Sequence, residues 1–175
     1  MLVDVVSDTH GYFNPRVAEL LQGVDHIFHA GDIGDAGIID QLSSIATVTT
    51  VRGNNDKVGP SSLYPKEVTL EIGGRTVYIT HQIKVPKTPG EAAHQRYTDA
   101  GIDVVVYGHS HIGFQKPLGS VLFFNPGVAG KPSSSLTLPL EDWKSRQMRL
   151  LELSYRCRPV MLCLHACFPL RPWCH

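Results

Sequence analysis

The chain has 175 residues, of which 42% are apolar and 18% are charged, and its formal net charge at pH 7 is zero. This length and composition are typical of one globular domain with a substantial core. They exclude a membrane span, because no stretch approaches the ~20 consecutive apolar residues that a span requires. The N-terminus has an acid at Asp4 and no basic segment, so we predict no signal peptide and expect a cytoplasmic location.

Charge is unevenly distributed along the chain. Residues 1–130 contain 9 Lys and Arg against 13 Asp and Glu, whereas residues 131–175 contain 7 against 3. We predict one domain over residues 1–155, with its closing part at 131–155, and an atypical tail over residues 156–175. Disorder and a change of reading frame are both open explanations for this tail. It is rich in Pro and Arg and contains all the cysteines: Cys157, Cys163, Cys167 and Cys174.

The first third of the chain alternates predicted strands and helices. Asn14 and Pro15 are typical of an N-cap and the first helical position, and Gly23 is a typical helix end. Asp35 is predicted to cap a second, short helix. The alternation predicts right-handed crossovers and a largely parallel sheet. The strands are predicted over residues 2–7, 25–30 and 47–52.

The next part of the chain begins with a predicted hairpin. Residues 67–72 and 75–80 alternate in the strand pattern about Gly73-Gly74, which is a strong signal for a two-residue turn. An antiparallel portion therefore follows the parallel one. A helix then begins with an N-cap, a proline and a capping box, and two buried strands follow. These features are Thr88, Pro89 and Glu91 for the helix start, and residues 103–107 and 121–124 for the strands.

Five short polar segments each follow a predicted strand. Together they supply two Asp, one Asn and four His, which is the ligand inventory of a two-metal hydrolytic site. Each residue alone is better explained as a turn, a cap or a satisfied polar group, and a single short motif matches by chance. Five at strand ends are hard to obtain by accident, and ligands bind at that edge of an α/β sheet. The segments are Asp8-Thr9-His10, Gly31-Asp32, Gly53-Asn54, His81 and Gly108-His109-Ser110-His111.

This ligand set favours borderline divalent ions. Carboxylate, amide oxygen and imidazole together suit Mn²⁺, Fe²⁺, Ni²⁺ or Zn²⁺. So many imidazoles argue against a pure Mg²⁺ or Ca²⁺ site, and the absence of cysteine ligands argues against a structural zinc site. In Asp8-x-His10 and His109-x-His111 the paired side chains point the same way if the chain is extended.

The ordered motifs resemble those of the calcineurin-like metallophosphoesterases, in particular their compact, single-domain branch of bacterial and archaeal phosphodiesterases. The motifs are D-x-H, G-D-x-x-D, G-N-x-D, a lone His and G-H-x-H, and the resemblance covers residues 1 to about 130, including Asn125-Pro126-Gly127. It implies an α/β fold, a two-sheet αββα sandwich with mixed sheets and outer helices.

The resemblance also implies two divalent metal ions, with Mn²⁺ favoured and Ni²⁺, Zn²⁺, Fe²⁺ or Mg²⁺ as alternatives. Asp32 would bridge the two ions. The first ion would be held by Asp8, His10, Asp32 and His111, and the second by Asp32, Asn54, His81 and His109.

The function implied by the resemblance is hydrolysis of a small phosphoester, with a diester favoured. A hydroxide between the two metals would attack phosphorus in line with the leaving oxygen. Two other functions stay open: a phosphomonoesterase, and a protein-interaction scaffold with a silent site, as in the retromer subunit related to this branch. No broad basic face indicates a sequence-specific nucleic-acid binder, no membrane partner is expected, and homo-oligomerisation is left open.

Two positions depart from the family pattern. Many members have a His directly after the metal-binding Asn, where this chain has Asn55. An amide donates a hydrogen bond but cannot deliver a proton at neutral pH. Asn55, which with Asp32 is our catalytic candidate, therefore predicts slower turnover or a preference for good leaving groups. Gln82 stands where the family usually has Gly, and we expect only a small effect.

Other polar residues are assigned less specific roles. Asp35 and Asp56 are candidates to orient the imidazoles, although a helix cap is favoured for Asp35. A structural role is predicted for His26, His29 and His94. Solvated surface positions are predicted for Lys116 and Lys131.

Overall fold

The computed structural model describes residues 1–83 and 94–130. Several predictions fall outside these residues: the helix start at Thr88, Pro89 and Glu91, the closing part of the domain, the cysteine-rich tail and Lys131. Within the described residues, no helix is long and apolar enough to cross a membrane.

The first sheet contains three parallel strands in the order β1, β2, β3. Helix α1 connects β1 to β2, and helix α2 connects β2 to β3, so strands and helices alternate as predicted. The bounds are β1 Val3–Val6, α1 Pro15–Leu20, β2 His26–His29, α2 Gly37–Ser43 and β3 Thr47–Thr50.

Helix α1 begins as the sequence predicts, whereas the N-cap residue of α2 is Ala36 and not the predicted Asp35. The Asn14 side chain accepts a hydrogen bond from the Arg16 N–H at 3.0 Å, and proline occupies the first turn of α1. In α2 the Asp35 carboxylate accepts from the Gly37 N–H at 2.9 Å. A side-chain oxygen thus satisfies one orphan donor at each helix start, which stabilises the helix by about 1 kcal/mol.

The second sheet contains five strands in the order β4, β5, β6, β8, β7. It is antiparallel at both edges and parallel in the middle, so it is mixed. The β4–β5 hairpin turns at Gly73-Gly74 and has the predicted bounds. The elements are β4 Glu67–Ile72, β5 Arg75–Thr80, helix α3 Gln95–Asp99, β6 Val104–Val106, β7 Phe114–Leu118 and β8 Val121–Asn125.

Two described elements were absent from the sequence-based prediction. Strand β7 has the sequence FQKPL, whose proline cannot donate to a ladder and whose neighbours are polar. It is tolerated because β7 is the edge strand and pairs only with β8. The other is the short 3₁₀ helix Pro60–Leu63, which lies in the segment after β3.

The layers follow from which side chains pack together. Alternate residues of both sheets, such as Val5 of β1, Val77 of β5 and Val104 of β6, form one buried cluster between the sheets. A second cluster packs α1 and α2 on the outer face of the first sheet, and a third packs α3 on the outer face of the second. The predicted αββα arrangement, with two facing sheets and helices outside, is confirmed.

Candidate metal centre

The segments that follow β1, β2, β3, β5 and β6 carry all seven predicted metal ligands. Six of these ligands form two clusters, in each of which one ligand atom per residue lies within 4.8 Å of the others. The seventh, Asn54, contacts the second cluster. The first cluster consists of Asp8, His10 and His111, and the second consists of Asp32, His81 and His109.

In the first cluster, three ligand atoms converge from two of the segments. The Nε2 atoms of His10 and His111 are 3.2 Å apart, and Asp8 Oδ1 lies 3.3 Å from His111 Nε2. The other carboxylate oxygen, Asp8 Oδ2, accepts from the Ser7 hydroxyl at 2.6 Å and from the His109 N–H at 3.1 Å. Asp8 Oδ1 is buried and has no hydrogen-bond partner among the described residues. A buried carboxylate oxygen without a donor is costly, so this geometry suits a cation.

In the second cluster, one imidazole is held in a defined orientation. His81 Nδ1 lies 2.8 Å from the carbonyl oxygen of Ala30, which only accepts, so Nδ1 carries a hydrogen. His81 Nε2 faces two oxygens, Asp32 Oδ2 at 3.3 Å and Asn54 Oδ1 at 3.1 Å. A backbone carbonyl on the distal nitrogen is the usual support of a metal-binding histidine, because it fixes the tautomer and the ring plane.

Neighbouring groups affect the pKa of His81. Burial lowers this pKa, but the hydrogen bond to Asp32, the charge of Asp8 and the hydrogen bond to the Ala30 carbonyl together outweigh burial and raise the pKa above the ordinary value. Because a metal ion binds imidazole only through a deprotonated nitrogen, metal binding here would compete with protonation of His81.

Asn55 donates two hydrogen bonds to the carboxylate of Asp32. The Asn55 backbone N–H donates to Asp32 Oδ1 at 2.8 Å and its side-chain amide donates to Oδ2 at 2.6 Å. Burial raises the pKa of Asp32, but bonds from His81 and Asn55 outweigh it and lower the pKa to about 2. Asn55 is thus placed to fix the Asp32 carboxylate in its ionised form.

Gln82 makes a side-chain contact that the sequence did not predict. Its side-chain Nε2 lies 2.9 Å from His109 Nε2, so it touches a predicted metal ligand. The Gln82 side chain is exposed, and it borders the open face of the second cluster.

Five predicted ligands share an unusual backbone conformation. Asp8, His10, Asp32, His109 and His111 have φ values between 49° and 66°, and they are the non-glycine residues with positive φ in the described chain. Such residues are a few per cent of non-glycine residues in proteins, and strain of this kind concentrates at functional sites.

Two glycines leave the space that the ligand carboxylates occupy. A Cβ on Gly53 would lie 2.0 Å from Asp32 Oδ1, and a Cβ on Gly108 would lie 2.0 Å from Ser7 Oγ and 2.8 Å from Asp8 Oδ2. These close approaches explain why the sequence has glycine directly before Asn54 and His109.

Asp56 stabilises the backbone of the two segments that carry Asp32 and Asn54. Its buried carboxylate accepts three backbone hydrogen bonds, from Gly53 at 2.8 Å, Gly34 at 2.9 Å and Ile33 at 3.0 Å. It therefore joins the segment after β2 to the segment after β3. The sequence proposed Asp56 as a group that orients imidazoles, whereas the bonds in the structure go to backbone.

His29 is fully buried and joins two further segments of the site. Its Nδ1 accepts from the Gly31 N–H at 3.2 Å, so its Nε2 carries the hydrogen and donates to Thr9 Oγ1 at 3.0 Å. The Thr9 hydroxyl in turn donates to the carbonyl of Ile33 at 3.0 Å. Burial lowers the pKa of His29 to about 4, which keeps the ring neutral. The structural role predicted for this histidine agrees with its contacts.

The residues present fit divalent metal ions. Each cluster offers two imidazoles and one carboxylate, a donor set that borderline divalent ions bind well. The orphaned Asp8 Oδ1 and the carbonyl-supported His81 are the features that such ions require of a protein.

Comparison with known proteins finds phosphoesterases. Residues 1–141 match the calcineurin-like phosphoesterase superfamily domain. The probable metallophosphoesterase MJ0623 of Methanocaldococcus jannaschii is 31% identical over 152 residues, which cover 81% of this chain and 77% of that protein. Phosphodiesterase MJ0936 of the same organism is 23% identical over 176 residues, which cover 87% and 99%.

Solved structures share the fold. Vacuolar protein sorting 29 of Cryptosporidium parvum superimposes with a TM-score of 0.66 at 23% identity, covering 78% of both chains. An archaeal phosphodiesterase superimposes with a TM-score of 0.56 at 23% identity, covering 73% of this chain and 84% of that one.

Proposed function

This chain belongs to the calcineurin-like phosphoesterase superfamily, and from that premise we propose that it is a phosphodiesterase that uses two divalent metal ions. Asp8, His10 and His111 would hold one ion, and Asn54, His81 and His109 the other. Asp32 would bridge them. When bound, such a pair of ions activates a water molecule and neutralises charge on the phosphoryl oxygens. Mn²⁺ is the ion we favour.

The observation that carries this proposal is the pair of ligand clusters at adjoining strand ends. Each cluster contains one carboxylate and two imidazoles, and the first contains a buried carboxylate oxygen with no hydrogen-bond donor among the described residues. A scaffold whose site had lost its function would not need to retain these ligands or the strained backbone that presents them. An enzyme is therefore favoured over a silent interaction module.

The chain's own residues have separable tasks in this reaction. Asn55 fixes the Asp32 carboxylate through two hydrogen bonds, and the Ala30 carbonyl fixes the ring of His81. Neither Asn55 nor Gln82, which contacts His109, can give a proton to a leaving oxygen at neutral pH. We therefore infer that good leaving groups, such as aryl oxides, are hydrolysed fastest.

Diester specificity is the finer part of the proposal. It is supported by the relative MJ0936, whose name is phosphodiesterase and which matches 87% of this chain. A cytoplasmic location likewise stays a prediction from the sequence.

The test compares bis(p-nitrophenyl) phosphate with p-nitrophenyl phosphate. Protein stripped with EDTA is assayed with Mn²⁺, Ni²⁺, Zn²⁺ or Mg²⁺, beside His109→Ala and Asn54→Ala. His26→Ala is the matched control, because the His26 ring bonds Thr49 on the sheet at 2.8 Å and belongs to neither cluster. We expect metal-dependent hydrolysis of the diester that both site variants abolish and the control retains.

Two outcomes would change the assignment. Faster hydrolysis of the monoester would make the protein a phosphomonoesterase. Absence of any metal-stimulated hydrolysis would overturn the enzyme proposal and favour the scaffold.

A further inference from the structure

A cavity of about 990 Å³ opens beside the second metal cluster. At one end its walls are Asn54, His81 and Gln82, which are two predicted ligands and the amide that contacts a third. From there it extends along the outer side of β4 and β5 to helix α3. Its volume lies at the upper end of the range for small-molecule sites, so it can take a substrate much larger than a single phosphate.

The cavity is lined by a concentration of basic side chains. The described residues contain seven Lys and Arg, and four of them line this one cavity. These four are Arg52, Lys57, Lys66 and Arg96. The concentration is unexpected because the first 130 residues contain more acids than bases.

The other three basic side chains lie outside the cavity. Arg16 pairs with Glu19 at 3.6 Å and Arg75 pairs with Asp103 at 3.2 Å. Lys116 is exposed on the edge strand β7. Ion pairing or solvent exposure therefore accounts for each of these three, and neither explains why the other four share one cavity.

The two acids in the cavity wall already accept hydrogen bonds from other groups. The Asp56 carboxylate accepts three backbone hydrogen bonds, and the Glu67 carboxylate accepts from the Tyr78 hydroxyl. Neither forms an ion pair with the four basic side chains within the described residues. Positive charge in the cavity is thus only partly offset.

Two of the basic groups are held in place by their own contacts. The Arg52 guanidinium donates to the Ser62 carbonyl at 2.9 Å. The Arg96 guanidinium lies over the Tyr97 ring, 4.3 Å from its centroid. Lys57 and Lys66 are exposed and make no ion pair in the described part of the chain, so their ammonium groups are available to a ligand.

We propose that this cavity binds a second phosphate group of the substrate. The preferred substrate would then be a small organic phosphodiester that carries another phosphate some bonds away from the scissile one. Arg and Lys are the side chains that bind phosphate in proteins, through charge-assisted hydrogen bonds. The proposal rests on the proposed function only for what happens at the scissile phosphate.

The second phosphate is expected to change binding rather than chemistry. The cavity lies beside the ligands, and its basic groups are not among the residues that hold the ions. An interaction made equally in the ground state and the transition state lowers KM and leaves kcat unchanged.

A pair of chromogenic substrates tests this directly. Thymidine 5′-(p-nitrophenyl phosphate) is compared with the same compound bearing a 3′-phosphate, so the scissile bond is identical. We expect KM to be about tenfold lower for the 3′-phosphorylated substrate, the value of one charge-assisted bond. The difference should shrink as salt is added, because the lysines are exposed.

Variants locate the effect. Lys57→Gln and Lys66→Gln should each reduce the KM difference, and the double variant should remove it. Lys116→Gln is the matched control, since it loses the same charge from a surface outside the cavity, and it should retain the difference. Equal KM values for the two substrates in the unaltered protein would overturn the proposal, as would a difference that the double variant leaves intact.

A binding measurement separates this proposal from the proposed function. Calorimetric titration with thymidine 3′,5′-bisphosphate, in EDTA, needs neither hydrolysis nor metal. Binding that the double lysine variant abolishes would support the cavity even if no substrate were hydrolysed. Failure to bind, together with hydrolysis at equal KM, would overturn the cavity proposal and leave the phosphodiesterase proposal intact.

Discussion

Replacing Asp56 with Asn should loosen the framework of the metal centre. The Asp56 side chain is 3% exposed, and its two carboxylate oxygens receive three backbone N–H groups from two segments. Oδ2 accepts from Ile33 and Gly53, and Oδ1 accepts from Gly34. Asn keeps one oxygen and presents an amide NH₂ where the other was.

The magnitude follows from those contacts. With the Asn oxygen toward Ile33 and Gly53, two bonds survive without the anionic charge, and the Gly34 N–H faces another donor. Bonds to charged groups contribute about 1.5–3 kcal/mol, and an unsatisfied buried donor costs about 1–3 kcal/mol. We therefore expect Asp56→Asn to lower the free energy of unfolding by about 3 kcal/mol. Metal affinity should fall as well, because the same segments carry Asp32 and Asn54.

Urea unfolding of the metal-free protein measures the first effect, and calorimetric titration with Mn²⁺ measures the second. The matched control is Asp35→Asn, since the exposed Asp35 carboxylate accepts a single bond from Gly37. That change should cost less than about 1 kcal/mol, as for a helix cap. The reasoning would be refuted if Asp56→Asn unfolded within about 0.5 kcal/mol of the unaltered protein, the range of ordinary surface changes.

Three further predictions concern a glycine, a histidine and the metals. Gly108→Ala should weaken Mn²⁺ binding about 10- to 100-fold, the usual range for changes to residues that support metal ligands. The reason is that the added Cβ would lie 2.0 Å from Ser7 Oγ and displace Asp8. Unchanged Mn²⁺ affinity in calorimetry would contradict this prediction. Burial lowers the pKa of His29 to about 4 in the folded protein. The neutral ring therefore contributes fully to the free energy of unfolding above pH 6.5, near the ordinary pKa of histidine, and this contribution is lost as the pH falls toward 4. In urea unfolding, the difference in free energy of unfolding between the unaltered protein and His29→Gln should therefore narrow by up to about 3 kcal/mol from pH 7 to pH 4. An equal difference at pH 7 and pH 4 would contradict this prediction. Mn²⁺ at a hundredfold excess over its Kd should stabilise the fold by about 3 kcal/mol and raise Tm, and EDTA should reverse the rise; a Tm insensitive to both would argue against the site.

Much of the architecture could be predicted because local signals and tertiary packing agree. The hairpin about Gly73-Gly74 has its predicted bounds, since a two-residue turn sets the register of both strands. Asn14 caps α1 as expected, because a cap depends on residues within one turn. Strand β7 was missed because Pro117 and its polar neighbours argue against a strand, and only the edge position makes them acceptable.

The sequence was enough to propose the candidate ligand residues, but not the contacts that hold them in place. Motif spacing identifies Asp8 and His109 because each directly follows a strand. The bond from the His109 N–H to Asp8 Oδ2 joins residues 101 positions apart, and no local pattern predicts it. The same holds for Asp56, which is indistinguishable in the sequence from a turn residue, and for Asn55, whose two bonds to Asp32 depend on how two loops meet.

The strained ligands and the bonds between segments belong to one arrangement. A left-handed backbone costs about 1–2 kcal/mol for each non-glycine residue, so five such residues cost an amount comparable to the whole stability of a small domain. The cost is offset where the segments after β1 and β2 bond to each other: Asp8 N–H donates to Gly31 O at 3.0 Å, His10 N–H to Asp32 O at 2.9 Å, and Gly11 N–H to Ile33 O at 2.8 Å. This ladder holds the backbone of Asp8, His10 and Asp32 in place. If these residues bind metal ions as we propose, binding need not order them first, so the free energy of coordination would not be reduced by an ordering cost.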